Sequence, residues 1–172
     1  MEPVDRLLLK ELLGTEKDVP LPRAKRSKDS PPEAHNWTRP VLMERAAYLR
    51  RLAAYSEGSA SETLKEYPRH ATMLSVRGRD GIVELHERFA DLFIVLDGRA
   101  TLITGGTVVG AHVVGAGEIR GTALEGGTRM ELRGGDIAHV PAGVPHQMLV
   151  PGDKTFTAFV VKIQEPDEKV AR

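Results

Sequence analysis

The chain contains no cysteine among its 172 residues. Disulfide bonds, thiolate metal sites and a cysteine nucleophile are therefore excluded, and any bound metal must be held by imidazole and oxygen ligands. Aromatic residues are also scarce, at 5% of the chain. A stacking platform for flat rings is thus less expected than a pocket lined by apolar side chains such as Met73, Phe93 and Met148.

The chain also lacks an excess of charge of either sign. Lysine and arginine together number 24, which equals the total of aspartate and glutamate. Bulk electrostatics therefore provides no reason to expect binding to nucleic acid or to an anionic membrane, and we predict neither partner. The basic run at residues 23–28 could serve nucleic acid binding or targeting, but a solvated linker is the expected interpretation.

Long hydrophobic runs are absent as well. The leucine-rich segment at residues 7–13 is interrupted by Lys10 and Glu11, whereas a membrane span needs about 20 apolar residues. Charged residues such as Glu2 and Asp5 precede this segment, unlike the start of a secretory leader. We therefore expect a cytoplasmic protein.

The N-terminal third of the chain has a helical and proline-rich pattern. Residues 4–13 can form a short amphipathic helix, and the proline-rich segment from Thr15 to Pro40 favours an extended arm. Apolar residues at helical spacing then predict a second helix from Val41 to about Tyr55. Its apolar positions are Leu42, Ala46, Leu49 and either Leu52 or Ala53. We assign residues 1–58 to this extension and residues 59–172 to a separate β domain.

Beyond residue 70 the pattern changes to short strands separated by glycine-containing turns. Such a pattern, without intervening helices, predicts an all-β jelly roll or barrel. The predicted strands are 73–76, 82–88, 92–96, 100–104, 107–114, 128–132, 137–140, 146–150 and 156–163, and Asp97-Gly98 is among the predicted turns. No helix-turn-helix pattern precedes them.

One segment combines a turn, a strand and a second turn with a histidine at fixed spacing. It runs from Gly135 to His146 and contains Pro141 and Gly143. The spacing resembles the second signature of the cupin family, G-x5-P-x-G-x2-H-x3-N, at four of its five positions, with Val150 where asparagine is usual. The resemblance implies a double-stranded β-helix, or cupin jelly-roll barrel, and this barrel follows the short α-helical N-terminal extension that the apolar spacing predicts.

The first cupin signature, G-x5-H-x-H-x3,4-E-x6-G, lies upstream in altered form. Counting back from Gly98, Asp91 stands at the glutamate position. His86 and Glu84 then stand at the second and first histidine positions. The chain therefore resembles a small single-domain cupin with a carboxylate-shifted metal site.

Strand geometry supports the same grouping independently of the family. Glu84 and His86 are two residues apart on a predicted strand, so their side chains point to the same face. Asp91 begins the next predicted strand, and neighbouring strands lie only about 4.8 Å apart. Gly143 permits a tight turn that returns His146 to the barrel interior. Two imidazoles and one or two carboxylates can therefore converge on one point.

The predicted metal ligands are His86, His146, Asp91 and Glu84. Two imidazoles with one or two carboxylates suit Fe(II), Mn(II) or Zn(II) and leave coordination positions open for substrate or water. Taken singly, such carboxylates are commonly solvated and such histidines commonly form structural hydrogen bonds. If Glu84 is not a ligand, it is a candidate general base beside the metal. His139 either lines the pocket or is a buried histidine bonded to the backbone.

Three functional hypotheses follow from these residues and the resemblance. The first is a metal-dependent enzyme acting on a small organic molecule, either a dioxygenase or an isomerase, lyase or hydrolase. The alternative is a non-catalytic module that binds a small molecule in its barrel. The third is an assembly protein that grips a partner through its N-terminal arm. The resemblance also implies a homodimer.

Overall fold

The computed structural model describes residues 34–165. The helix predicted at residues 4–13, and the predicted arm up to residue 33, lie outside this part of the chain. Between residues 34 and 165 the chain forms one helix followed by twelve strands. This confirms the prediction of a mostly β fold preceded by a helix.

Helix α1, Arg39–Ala54, begins two residues earlier than predicted because Pro40 lies in its first turn, where the missing N–H of proline costs nothing. Its buried residues are Leu42, Ala46, Leu49 and Ala53, which resolves the alternative between Leu52 and Ala53. This face packs against β1 and β2, which span Ser59–Glu66 and His70–Arg77. Within residues 34–165, no helix is long and apolar enough to cross a membrane.

The remaining strands follow in close succession. They are β3 (Val83–His86), β4 (Phe89–Thr104), β5 (Thr107–Val109), β6 (His112–Gly115), β7 (Glu118–Gly121), β8 (Ala123–Glu125), β9 (Thr128–Arg133), β10 (Ile137–Val140), β11 (His146–Leu149) and β12 (Phe156–Gln164). Every pairing between them is antiparallel. Ten strands form one curled sheet with the order β1-β2-β12-β4-β11-β3-β7-β6, in which β9 and β10 also pair with β4, and β5 pairs with β8 separately.

Strand β4 connects the two halves of this curled sheet. Its first half pairs with β10 and β12, and its second half pairs with β9 and β11. The predicted turn at Asp97-Gly98 is therefore wrong, because these residues form a bend within one continuous strand. A register shift opposite Thr157 and Ala158 and a positive φ of 83° at Gly98 produce the bend.

The eight-residue strand β1 has no counterpart among the predicted strands, and neither have two short strands, β7 and β8. They contain four and three residues, and Glu118 and Arg120 alternate with only one large apolar residue in β7. The single strand predicted at residues 107–114 is instead divided into β5 and β6 around Gly110, where φ is 63°. Short strands of this kind carry too few residues for an apolar period to be recognised.

The hydrophobic core lies between the two halves of the sheet. It is formed by buried apolar residues of β4, β9, β10, β11 and β12 together with Val150. Leu102 and Ala158 are completely buried, and Met73, Phe93 and Val144 pack against its edge. Phe93 also lies edge-on to His146, with ring centroids 6.2 Å apart, so the apolar core adjoins the predicted metal ligands.

The bend in β4 provides a test of this architecture. A Cβ atom at Gly98 would lie 1.9 Å from the carbonyl oxygen of Thr155, whereas one at Gly126, which also has positive φ, would meet nothing within 4 Å. We expect Gly126→Ala to lower the free energy of unfolding by about 1–2 kcal/mol through backbone strain alone. Gly98→Ala should cost roughly 1–3 kcal/mol more because β12 must also move. Denaturant unfolding measures both, and equal losses would contradict the close approach.

Candidate metal centre

The candidate centre is built on a row of residues that lie opposite one another on three strands. Glu84 of β3 pairs with His146 of β11 on one side and with Arg120 of β7 on the other. One step along, His86 of β3 pairs with Glu118 of β7. Because the side chains of a strand alternate between its two faces, Glu84 and His86 share a face, as predicted. The antiparallel register therefore brings imidazole, carboxylate and guanidinium groups together.

The turn before β11 returns His146 to the interior. Gly143 has a positive φ of 75°, which glycine adopts without penalty, and its N–H donates to the carbonyl of His86 over 2.8 Å. His146 is 3% exposed, and Met148 and Val150 on the same face are equally well buried. The predicted role of this turn is therefore confirmed.

Asp91 approaches the two histidines from β4. The carboxylate is 5% exposed, and its Oδ2 atom lies 3.3 Å from Nε2 of His86 and 3.5 Å from Nε2 of His146. Its other oxygen accepts a hydrogen bond of 3.1 Å from Nζ of Lys162, the residue opposite it on β12. One oxygen of Asp91 thus faces the amino group of Lys162 while the other faces the histidines.

His86 is held from both sides of its ring. Its Nδ1 atom lies 2.6 Å from Oε2 of Glu118, and its Nε2 atom faces Asp91. Burial lowers the pKa of His86, but the hydrogen bond to Asp91 and the charges of Asp91 and Glu118 outweigh burial and raise it above its ordinary value. Burial likewise raises the pKa of Asp91, but His86, Lys162 and His146 outweigh this effect and lower it.

His146 behaves differently. Burial is the chief reason why its pKa lies below the ordinary value, so the neutral imidazole is favoured. Its Nδ1 atom lies 3.4 Å from the carbonyl oxygen of Val144, and this contact favours the tautomer that carries the proton on Nδ1. Nε2 then presents a lone pair, and it is buried without a hydrogen-bond partner.

Glu84 completes the group from the solvent side. Its Oε2 atom lies 3.9 Å from Nε2 of His146, and ligand atoms of Glu84, His86 and His146 all lie within 4.8 Å of one another. Glu84 is 25% exposed, compared with 4–6% for His86, His146 and Asp91. The centre therefore has a buried part, formed by these last three residues, and a half-exposed edge at Glu84.

The comparisons with known proteins bear on the fold. No family model and no curated protein matches the chain. Among solved structures, an uncharacterised protein with a double-stranded β-helix domain from Klebsiella pneumoniae aligns over 77% of this chain and 91% of its own, at 17% identity and a TM-score of 0.53. This chain has the cupin fold. The agreement confirms the double-stranded β-helix expected from the two sequence signatures.

Two further cupin-related structures are similar at lower scores. A cupin superfamily protein from Desulfitobacterium hafniense aligns over 62% of this chain and 78% of its own, with 14% identity and a TM-score of 0.43. A DMSP lyase from Ruegeria pomeroyi aligns over 69% of this chain and 52% of its own, with 20% identity and a TM-score of 0.47. This chain thus spans about half the length of the lyase.

The cupin barrel brings together all four side chains that the sequence predicted as ligands. Glu84, His86 and His146 have ligand atoms within 4.8 Å of one another, and Asp91 lies 3.3 and 3.5 Å from the two histidines. Both interpretations predicted for His139 are wrong. It is exposed, because on β10 it points away from the face that buries Ala138 and Val140. It therefore neither lines the site nor is buried.

Sequence reasoning missed the charged residues that surround the predicted ligands. They are Arg77, Glu118, Arg120 and Lys162. The alternation of charge in β7 was the available signal for Glu118 and Arg120, but β7 was not recognised as a strand. Lys162 lies on a strand that was predicted. Its position opposite Asp91 depends on how β12 pairs with β4, which the local sequence does not indicate.

His86, His146 and Asp91 fit a divalent metal by three criteria, namely their spacing, the free lone pair of His146 and the chemistry of their donor atoms. Ligands at bond lengths of about 2.1 Å lie about 3.0–3.4 Å apart in octahedral or tetrahedral coordination, and the separations of Asp91 from His86 and His146 are 3.3 and 3.5 Å. The lone pair of His146 also faces a carboxylate oxygen across this gap, and two acceptors repel unless a proton or cation lies between them. The donor set of nitrogen and oxygen atoms suits a transition metal.

The ion pair between Lys162 and Asp91 yields a stability prediction for metal-free protein. Breaking a buried pair costs about 3–5 kcal/mol; because Lys162 is 24% exposed, we expect Lys162→Met to cost roughly 2 kcal/mol after allowing for solvent screening. Lys154→Met is the control, since it breaks a well-exposed pair with Asp153, which water screens, and it should leave stability almost unchanged. Chemical denaturation with chelator present measures both, and indistinguishable losses would contradict the role of Lys162.

Proposed function

We propose that this protein is a metal-dependent cupin enzyme that acts on a small organic molecule. His86, His146 and Asp91 bind a divalent transition metal, with Fe(II), Mn(II) and Zn(II) as the candidates. The observation that carries the proposal is the buried, unbonded Nε2 atom of His146, which faces Oδ2 of Asp91 at 3.5 Å. A cation between these atoms would convert their repulsion into attraction.

The surrounding residues support this ligand set. Glu118 holds Nδ1 of His86, which orients the ring and leaves Nε2 for a metal, as carboxylates commonly do beside ligating histidines. Val144 plays the equivalent part for His146 through its carbonyl. Lys162 occupies one oxygen of Asp91, so the other is directed at the histidines. The side chains are therefore arranged before a metal arrives.

A bound ion of this kind would polarise a substrate oxygen or activate water or dioxygen. The remaining work falls to the protein's own groups. Glu84 lies on the solvent side of the centre, 3.9 Å from Nε2 of His146, and its half-exposed carboxylate can take up or release a proton. We assign Glu84 the part of general base, because Asp91 is more deeply buried and lies closer to both imidazoles.

Metal binding is the first prediction. Protein purified without a polyhistidine tag should take up about one equivalent of Fe, Mn or Zn, and saturation to 100 times the Kd should add about 2.7 kcal/mol of stability that a chelator removes. His146→Ala should abolish both effects, because it removes the ligand with the free lone pair. His139→Ala is the matched control, since His139 lies exposed on β10, and it should bind metal like the wild type.

Elemental analysis and melting temperatures with and without EDTA measure these effects. A wild type that binds under about a tenth of an equivalent and melts at the same temperature with EDTA would refute the metal site. That result would favour the non-catalytic small-molecule-binding module, in which the altered first signature reflects a lost site.

The division of roles between the two carboxylates is the next prediction. Asp91→Asn should lose most of the metal, because it removes the buried ligand oxygen between the two imidazoles. Glu84→Gln should retain the metal but abolish turnover, because it removes only the base. Metal content and product formation from a candidate substrate are measured on the same preparations. Metal loss in Glu84→Gln with retention in Asp91→Asn would reverse the assignment, and unchanged turnover in Glu84→Gln would refute the base.

A further inference from the structure

Two arginines converge on Glu84 at the solvent side of the centre. Arg120 of β7 lies opposite Glu84 of β3, and its Nη2 atom is 3.5 Å from Oε1 of Glu84. Arg77 lies at the end of β2, and its Nη2 atom is 3.8 Å from Oε2. That same Oε2 atom lies 3.9 Å from Nε2 of His146. The carboxylate of Glu84 thus separates the two guanidinium groups from the candidate metal ligands.

Glu84 pairs only loosely with both arginines, although Arg120 also donates to Glu118 over 3.2 Å and to the carbonyl of Ile119 over 3.1 Å. Charge-assisted N–H···O⁻ hydrogen bonds measure about 2.7–2.9 Å, well below the 3.5 and 3.8 Å found here. Within residues 34–165, Glu84 is the one residue that forms an ion pair with Arg77. Both arginine side chains are only partly buried, at 20–23% exposure. A solute approaching from this side can therefore reach them before it reaches the buried histidines.

The balance of charge also favours an anionic ligand. The charged groups around the two histidines are three cations and three carboxylates, namely Arg77, Arg120, Lys162, Glu84, Asp91 and Glu118. Their charges cancel. A divalent ion bound by neutral histidines would leave an excess of two positive charges, and the partial burial of the site weakens screening of that excess by water.

We propose that Arg77 and Arg120 bind the carboxylate group of an anionic substrate, which takes the place of the Glu84 side chain between them. This inference rests on the proposed function, because it places the bound acid beside the metal. A planar guanidinium group pairs with a carboxylate through two parallel hydrogen bonds, and a carboxylate is the group that the two arginines already surround. Release of Glu84 from the arginines would also free its carboxylate to act as a base on the bound acid.

The test uses propionate, which has one carboxylate and no second group to chelate metal, and propionamide, its uncharged counterpart of similar shape. Binding to full-length protein is measured by ligand-observed NMR at constant ionic strength, with and without Zn(II). We expect propionate to bind, propionamide to bind at least about tenfold more weakly, and metal to strengthen the binding of propionate.

Four variants separate substrate binding from a merely structural role. Arg77→Met and Arg120→Met should each weaken propionate binding at least about fivefold, because each removes a guanidinium partner of the carboxylate. Neither should lose metal, because removing a positive charge near a bound cation does not weaken its binding. Arg77→Met is the cleaner variant, since Arg120 also donates a 3.2 Å hydrogen bond to Glu118. Glu84→Gln should tighten propionate binding, because it removes the competing carboxylate. Arg129→Met, at an exposed position on β9, should bind propionate like the wild type.

The outcomes distinguish this inference from the proposed function. Metal uptake with no propionate binding, or with binding that both arginine variants retain, would overturn the inference alone. The inference would also be overturned if inorganic phosphate bound more tightly than propionate and if its binding depended on Arg77 in the same way. If no metal binds but metal-free protein still shows propionate binding that depends on Arg77, the metal proposal fails and the anion site stands. Weaker propionate binding in Glu84→Gln would overturn the displacement of Glu84.

Discussion

The bend of β4 at Gly98 is the constraint on which the rest of this barrel depends. Because one strand continues through the bend, its first half carries Asp91 next to β12 and its second half pairs with β11, which carries His146. The φ of 83° and the contact of Gly98 with Thr155 leave no room for a side chain there. The carboxylate and the imidazole are thus brought within 3.5 Å by a single continuous segment.

The next constraint is electrostatic. Three buried polar residues lie close together next to an apolar core, namely His86, Asp91 and His146. Burying such groups is costly unless each has a hydrogen-bonding or ionic partner. Lys162 and His86 provide partners for Asp91, and Glu118 does so for His86. His146 has no such partner at Nε2. The barrel therefore satisfies two of these three residues internally and leaves Nε2 of His146 without a hydrogen-bond partner, which is why the proposed metal site centres on this atom.

The parts of this arrangement that could be predicted from the sequence are those encoded by short-range spacing. The same-face relation of Glu84 and His86 follows from their separation of two residues, and the return of His146 follows from the turn at Gly143. The helix on the barrel was equally accessible, because Leu42 and its neighbours repeat with helical spacing. These features depend on local geometry, which one sequence expresses directly.

The parts that could not be predicted depend on register between strands distant in the chain. Lys162 lies 71 residues from Asp91, and nothing local indicates that the two strands pair with these residues opposite each other. The Asp97-Gly98 dipeptide has the composition of a turn, but tertiary pairing with β12 holds it within a strand. His139 follows the alternation of β10, which buries Ala138 and Val140 instead. Its position within the second signature was therefore no guide to its exposure.

The gradient of burial across the site divides its side chains into a fixed group and an adaptable group. The nearly buried His86, Asp91 and His146 are fixed by packing and by hydrogen bonds from opposing strands, which suits residues that must keep one geometry. The half-exposed Glu84, Arg77 and Arg120 are joined by longer contacts of 3.5–3.8 Å, which cost less to rearrange because water can replace them. A solute therefore meets the adaptable charges first and the buried histidines second. An anionic group that replaced Glu84 would exchange one carboxylate for another, so the charge near the arginines would be preserved while a basic carboxylate was released beside the bound molecule.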